Sequence, residues 1–128
     1  MGGWGSSRFS EMAANDSTRT AFAADCRRVI DKFGLDGIDI DWEYPGSGTA
    51  GISFSSADKE NFTLLMRDVR QAVGKDKLLT IATAATGRYY DFRAIEPYVD
   101  YVNIVPNIFS AAFLIAVFAY LKKDYKKH

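Results

Sequence analysis

Leu35-Asp36-Gly37-Ile38-Asp39-Ile40-Asp41-Trp42-Glu43-Tyr44-Pro45 is the stretch on which the reading of the whole chain turns. Residues 35–42 set β-branched and aromatic side chains in alternation with acids, which predicts a strand. Strand side chains alternate between faces, so Asp39, Asp41 and Glu43 share one face and Ile38, Ile40 and Trp42 the other. Successive acids on that face stand about 6.5–7 Å apart at their Cα atoms. Fold stability gains nothing from such a row. Repulsion and desolvation both oppose ionisation, so some of these carboxyls are expected to hold protons near neutral pH. Glu43 comes last, at the C-terminal end, where α/β folds build their sites. The expected arrangement is an exposed Glu43 acting as general acid, with the aspartates deeper and sharing protons with it.

The flanking sequence fits a strand between two helices. Upstream, Asn15-Asp16-Ser17 offers N-cap candidates for a helix running to about residue 33. Phe22, Cys26, Val29, Ile30 and Phe33 form its apolar stripe, and Gly34 is the expected stop. Cys26 lies on that stripe and reads as a packed thiol rather than a reactive one. Downstream, a Pro/Gly/Ser-rich loop covers residues 45–53, and Ser55 with Asp58 predicts a capping box. The helix that follows shows Phe62, Leu65, Met66, Val69 and Val73 on one face and ends at Gly74. Further strands are expected over 78–85 and 98–105, with a short connector over 92–97 between them. This alternation is that of a parallel sheet with helices outside, an α/β class.

Composition narrows the function. The 128 residues hold 16 Lys+Arg against 16 Asp+Glu, a net charge of zero that argues against a nucleic-acid or anionic-membrane partner. A single cysteine excludes a disulfide within the chain and a Cys-built zinc site. Clustered carboxylates also suit Mg²⁺ or Ca²⁺, but the Trp42-Glu43-Tyr44-Pro45 frame has no role in such a site. Residues 108–121 are wholly apolar or uncharged; as a helix they would span about 21 Å, short of the roughly 30 Å hydrocarbon core. They are expected to form a buried or partner-docked helix rather than a membrane span. Lys122, Lys123, Lys126 and Lys127 read as a solvated tail, and His128 as exposed and inert.

Residues 36–45 resemble the DGxDxDWEYP signature of glycoside hydrolase family 18, the chitinases. Gly2-Gly3-Trp4 resembles the tail of that family's SxGG element on the preceding strand, and the likeness covers roughly residues 2–104. It implies that residues 1–105 form a partial (β/α)8 TIM barrel of about three to four βα units, followed by an atypical apolar and basic tail, 106–128. By position, Glu43 would protonate the glycosidic oxygen. Asp41 would orient the substrate's N-acetyl group, whose carbonyl oxygen attacks the anomeric carbon, and Asp39 would shuttle charge beneath. The family is a substrate-assisted exception to the two-carboxylate scheme, so no carboxylate nucleophile, metal or cofactor is called for. Tyr44, Trp4 and Gly3 would line the sugar site, with Trp4 and Phe9 each open to a core role instead. Asp36 and Gly37 would give structural support, although Asp36 equally suits a local strand-entry role.

The implied partner is chitin or N-acetylglucosamine oligosaccharides, in a secreted, extracellular setting. The chain also departs from the pattern. Met1 stands close to where the family has its Ser, and Val105, Pro106, Asn107 and Ile108 occupy the places of a sugar-contacting Met-x-Tyr-Asp element. A closed barrel needs roughly 200–250 residues, so open strand edges and self-association are expected, with weak or no catalysis by this chain alone. Two other readings remain: a protein of the same fold that binds chitin-type sugars without cutting them, and an interaction module built on 108–121. The intact Glu43 favours an enzyme.

Overall fold

A computed structural model describes residues 1–105 of the chain. In chain order the elements are α1 (Phe9–Ala14), α2 (Asp16–Phe33), β1 (Gly37–Ile40), α3 (Asp58–Val73), β2 (Leu78–Ala84), α4 (Phe92–Ile95) and β3 (Tyr101–Val105). The three strands are parallel and lie side by side in the order β1-β2-β3. Asp39 stands opposite Thr80, and Ile81 opposite Val102. Gly37 explains how closely β1 and β2 approach: a Cβ there would lie 2.2 Å from the Leu78 carbonyl oxygen.

One face of the sheet carries the core. Ile38, Ile40, Leu79 and Ile81 are buried on it, together with Leu65, Met66, Val69 and Val73 of α3. The stripe expected on α3 is the one observed. On α2 the buried residues are Arg19, Ala23, Cys26 and Ile30, so the buried face is rotated from the expected one. Large apolar residues marked the stripe in the sequence. The actual contact uses a small alanine and an arginine, whose guanidinium bonds Asp68 of α3 at 2.9 Å and the Ala13 carbonyl at 2.7 Å. Phe33, at the last turn before the left-handed Gly34, is 64% exposed, with the Lys32 ammonium over its ring.

Several boundaries move for local reasons. Six-residue α1 is too short to show a period, and the sequence did not announce it. β1 keeps only residues 37–40 of the expected 35–42; Leu35 instead closes the helix end by donating its amide to the Ile30 carbonyl. β3 begins at 101 rather than 98, because the Tyr98 and Val99 amides both turn back to the Ile95 carbonyl. At the start of α3 only half of the expected capping box forms: Ser55 N–H donates to Asp58, but the Asp58 N–H goes to the Ser55 backbone carbonyl, the Ser55 hydroxyl accepts from Ala57 N–H, and Ala57 at the N-cap has no side-chain cap. The apolar helix expected over 108–121, the lysine cluster and His128 lie outside the described residues. Among the described residues no helix is long and apolar enough to cross a membrane.

Candidate active site

The acids stand at the C-terminal end of β1, where the ladder to β2 gives way to a different partner. Asp41 N–H donates to the Met1 carbonyl and Gly3 N–H to the Asp41 carbonyl, each at 2.8 Å, so the first residues add a short parallel bridge beside β1. Gly2 is required there: its φ is +112°, and a Cβ would fall 2.0 Å from the Asp41 carbonyl oxygen. Gly3 lies against the Asp41 carboxylate, with its Cβ position 3.6 Å from Oδ2.

Asp39 is tied across the sheet. The Thr80 hydroxyl of β2 and the Asn103 amide of β3 both donate to its Oδ1, the latter at 3.0 Å. Asp41 comes next and is half-buried. Burial, the charge of the adjacent Glu43 and the charge of Asp39 together push its carboxyl up to about 6, while the Met1 amino group pulls the other way. Its Oδ1 is buried without a hydrogen-bond partner among the described residues. Asp41 thus feels the charges of both its acidic neighbours, Asp39 and Glu43.

Glu43 differs from the expectation in one respect: it is only 8% exposed. The strand has ended by then, and the chain folds Tyr44 back against the glutamate. Burial and the charge of Glu43 push the Tyr44 phenol up to about 12. Tyr44 is itself buried, stacked on Tyr89 at 4.5 Å between ring centres and met edge-on by Trp4 at 6.4 Å. Trp4 is 61% exposed, and Phe9 is buried, stacked on Trp42 at 5.4 Å. The choice left open for these two residues is thus divided, Trp4 to the surface and Phe9 to the core. Trp42 is fully buried between Phe9 and Phe62 on the helix side, as parity predicts.

Asp36 and Gly37 lie at the other end of β1. Asp36 is exposed and supports the sheet through its backbone carbonyl, which accepts from Leu78 N–H at 2.9 Å. Asp58 is a residue the sequence pointed to only as a cap. It is fully buried and also accepts from Gly46 N–H at 3.1 Å and from the Ser10 hydroxyl at 2.7 Å. One carboxylate thus fastens the loop after Glu43 to both α1 and α3. Thr80 and Asn103 were likewise missed; their signal was a polar residue at an alternating position in an otherwise apolar strand.

Neighbouring parallel strands in unbroken sequence order, helices on the outer face and a row of acids at the C-terminal rim define a segment of a (β/α)8 barrel with a carboxyl-lined site. A family description, glycosyl hydrolases family 18, matches residues 1–106, and the chain belongs to that family. It is 39% identical over 125 residues to chitinase A1 of Niallia circulans, covering 88% of this chain and 18% of that protein. It is 42% identical over 103 residues to an endochitinase of Manduca sexta, covering 77% of this chain and again 18% of the relative. The chitinase domain of the spore coat protein CotE from Clostridium difficile superposes with a TM-score of 0.78 at 41% identity, over 81% of this chain and 31% of that one. The chain thus spans about a fifth of the length of these two curated relatives.

Proposed function

We propose that this chain carries the proton-donating segment of a chitinase, acting on β-1,4-linked N-acetylglucosamine polymers by a substrate-assisted, retaining route. The observation that carries the reading is the row of neighbouring carboxyls, in which burial and the charges of Glu43 and Asp39 hold Asp41 up to about 6. Glu43 gives its proton to the glycosidic oxygen as that oxygen leaves the anomeric carbon. The carbonyl oxygen of the same sugar's N-acetyl group forms the new bond to that carbon from the opposite face. Asp41 accepts from the acetamido N–H, orienting the group and offsetting its positive charge, with Asp39 stabilising the charge shift from below. Water then opens the cyclic intermediate with Glu43 as base, so configuration is retained. Trp4 presents an exposed ring to a sugar beside the buried Tyr44. Chitin-type polymers are extracellular materials, and an extracellular setting goes with this reading.

Val105 and the three residues after it replace the family's Met-x-Tyr-Asp element, so turnover by this chain alone is expected to be slow. The same departure favours the second reading, in which chitin-type oligosaccharides are held without being cut. Fluorophore release from a chitobiose conjugate, with binding of N-acetylglucosamine oligosaccharides by calorimetry, separates the two. Release that falls at least a hundredfold in Glu43→Gln supports the enzyme. Binding without release supports the second reading, and neither binding nor release rejects both.

A further inference from the structure

The peptide joining Trp42 to Glu43 lies beyond the sheet. β1 pairs with β2 only as far as Ile40 opposite Ile81, and the N–H and carbonyl of Asp41 are taken by Met1 and Gly3 respectively. The next carbonyl, that of Trp42, must be served by something other than the ladder, because a buried carbonyl without a donor is costly. Tyr90 serves it. Its hydroxyl donates to the Trp42 oxygen at 2.8 Å, with the Ala82 oxygen of β2 a longer acceptor at 3.3 Å. Tyr90 is 3% exposed, and its ring is held between Phe62, edge-on at 4.8 Å, and Phe92 at 5.9 Å. Burial and the facing Tyr44, Asp41 and Glu43 push its phenol upward, so it keeps its proton and stays a donor. Trp42 is therefore pinned twice, by its indole against Phe9 and Phe62 and by its carbonyl on Tyr90.

We propose that Tyr90 is a positioning residue, whose hydroxyl clamps the Trp42 carbonyl and so fixes where the Glu43 carboxyl stands against Asp41. Its catalytic consequence rests on the function proposed above, since a displacement of about 1 Å at a reacting group can cost on the order of a hundredfold in rate. The clamp itself is readable without turnover. Asp41 senses Glu43 directly, alongside Asp39 and the Met1 amino group, so its titration reports how closely the glutamate is held.

Carboxyl-carbon NMR titration of the full chain provides the test. With the wild-type Asp41 midpoint at about 6, Tyr90→Phe, which keeps the ring, is expected to lower it by about one unit, a tenfold loss of proton affinity. Tyr98→Phe removes a hydroxyl at the opposite end of the sheet and is expected to leave the midpoint in place. A folded Tyr90→Phe chain with the wild-type midpoint overturns the proposal, as does an equal shift in Tyr98→Phe. Should Tyr90→Phe fail to fold, tyrosine labelled at the phenol carbon in mixed light and heavy water decides on the wild-type chain. A clamped hydroxyl gives separate protonated and deuterated lines, whereas a single averaged line overturns the clamp. A wild-type Asp41 midpoint in the ordinary aspartate range overturns the raised carboxyl on which the proposed function rests, while the phenol lines of Tyr90 still decide the clamp.

Discussion

Asp41 links stability to pH in a direction opposite to that of most carboxylates. The folded carboxyl keeps its proton up to about 6, whereas an unfolded aspartate releases it near about 3.9. Between those values the folded state binds more protons, so stability is highest below the window and falls as pH rises through it. Asp41 is partly exposed, and solvent screening reduces the effect to about 1 kcal/mol. Asp41→Asn is therefore expected to flatten this fall, read by urea unfolding at pH 4 and pH 7. An identical pH slope in the variant would show that the carboxyl is not raised. The neighbouring Asp39 is satisfied differently, by donors from two other strands, so the acids of one column do separate work.

The loop after Glu43 depends on α3 as an element, through the buried carboxylate at its first residue. Asp58 receives a hydroxyl from α1 and two backbone amides, from Gly46 and Ser55. Asp58→Ala leaves the buried Ser10 hydroxyl and the less buried Gly46 and Ser55 amides without an acceptor and is expected to cost about 3 kcal/mol. Asp58→Asn keeps an oxygen for the amides and lets the Ser10 hydroxyl accept instead of donate, so it is expected to lose less than half of that. Chemical denaturation of the two variants checks the order; equal losses would mean that charge, not acceptor count, sets the contribution. The helix also covers the outer face of the sheet, since Phe62, Leu65, Met66, Val69 and Val73 are fully buried.

Taken as a whole, the described part of the molecule covers β1 and β2 with helices and leaves β3 largely exposed. The helix-covered face buries Leu79 and Ile81 completely, while Leu78 and Tyr101 on the acid side are 44% and 63% exposed. On β3, Val102 and Ile104 are 39% and 65% exposed on the other side. Exposed apolar positions along a strand at the end of a parallel sheet favour association with another edge. Self-association is accordingly expected, seen in sedimentation velocity as a weight-average coefficient that rises with concentration. A coefficient that stays monomeric from low to high micromolar chain would contradict it.

The sequence alone determined what depends on period and on local chemistry. Alternation put Ile38, Ile40 and Trp42 on the buried side. Glycine after the last apolar turn ended α2, and the βα alternation specified parallel strands. The frame from Asp36 to Pro45 also pointed to the family to which the chain belongs. Tertiary structure alone decided what depends on register and on distant partners. Asp39 meets Asn103 across 64 residues, and Tyr90 reaches Trp42 across 48. The burial of Glu43 and the rotated face of α2 belong to the same class. None of these leaves a periodic trace, because a hydrogen bond between remote segments fixes only where two backbones meet, and that is set by the packing of the helices on the sheet.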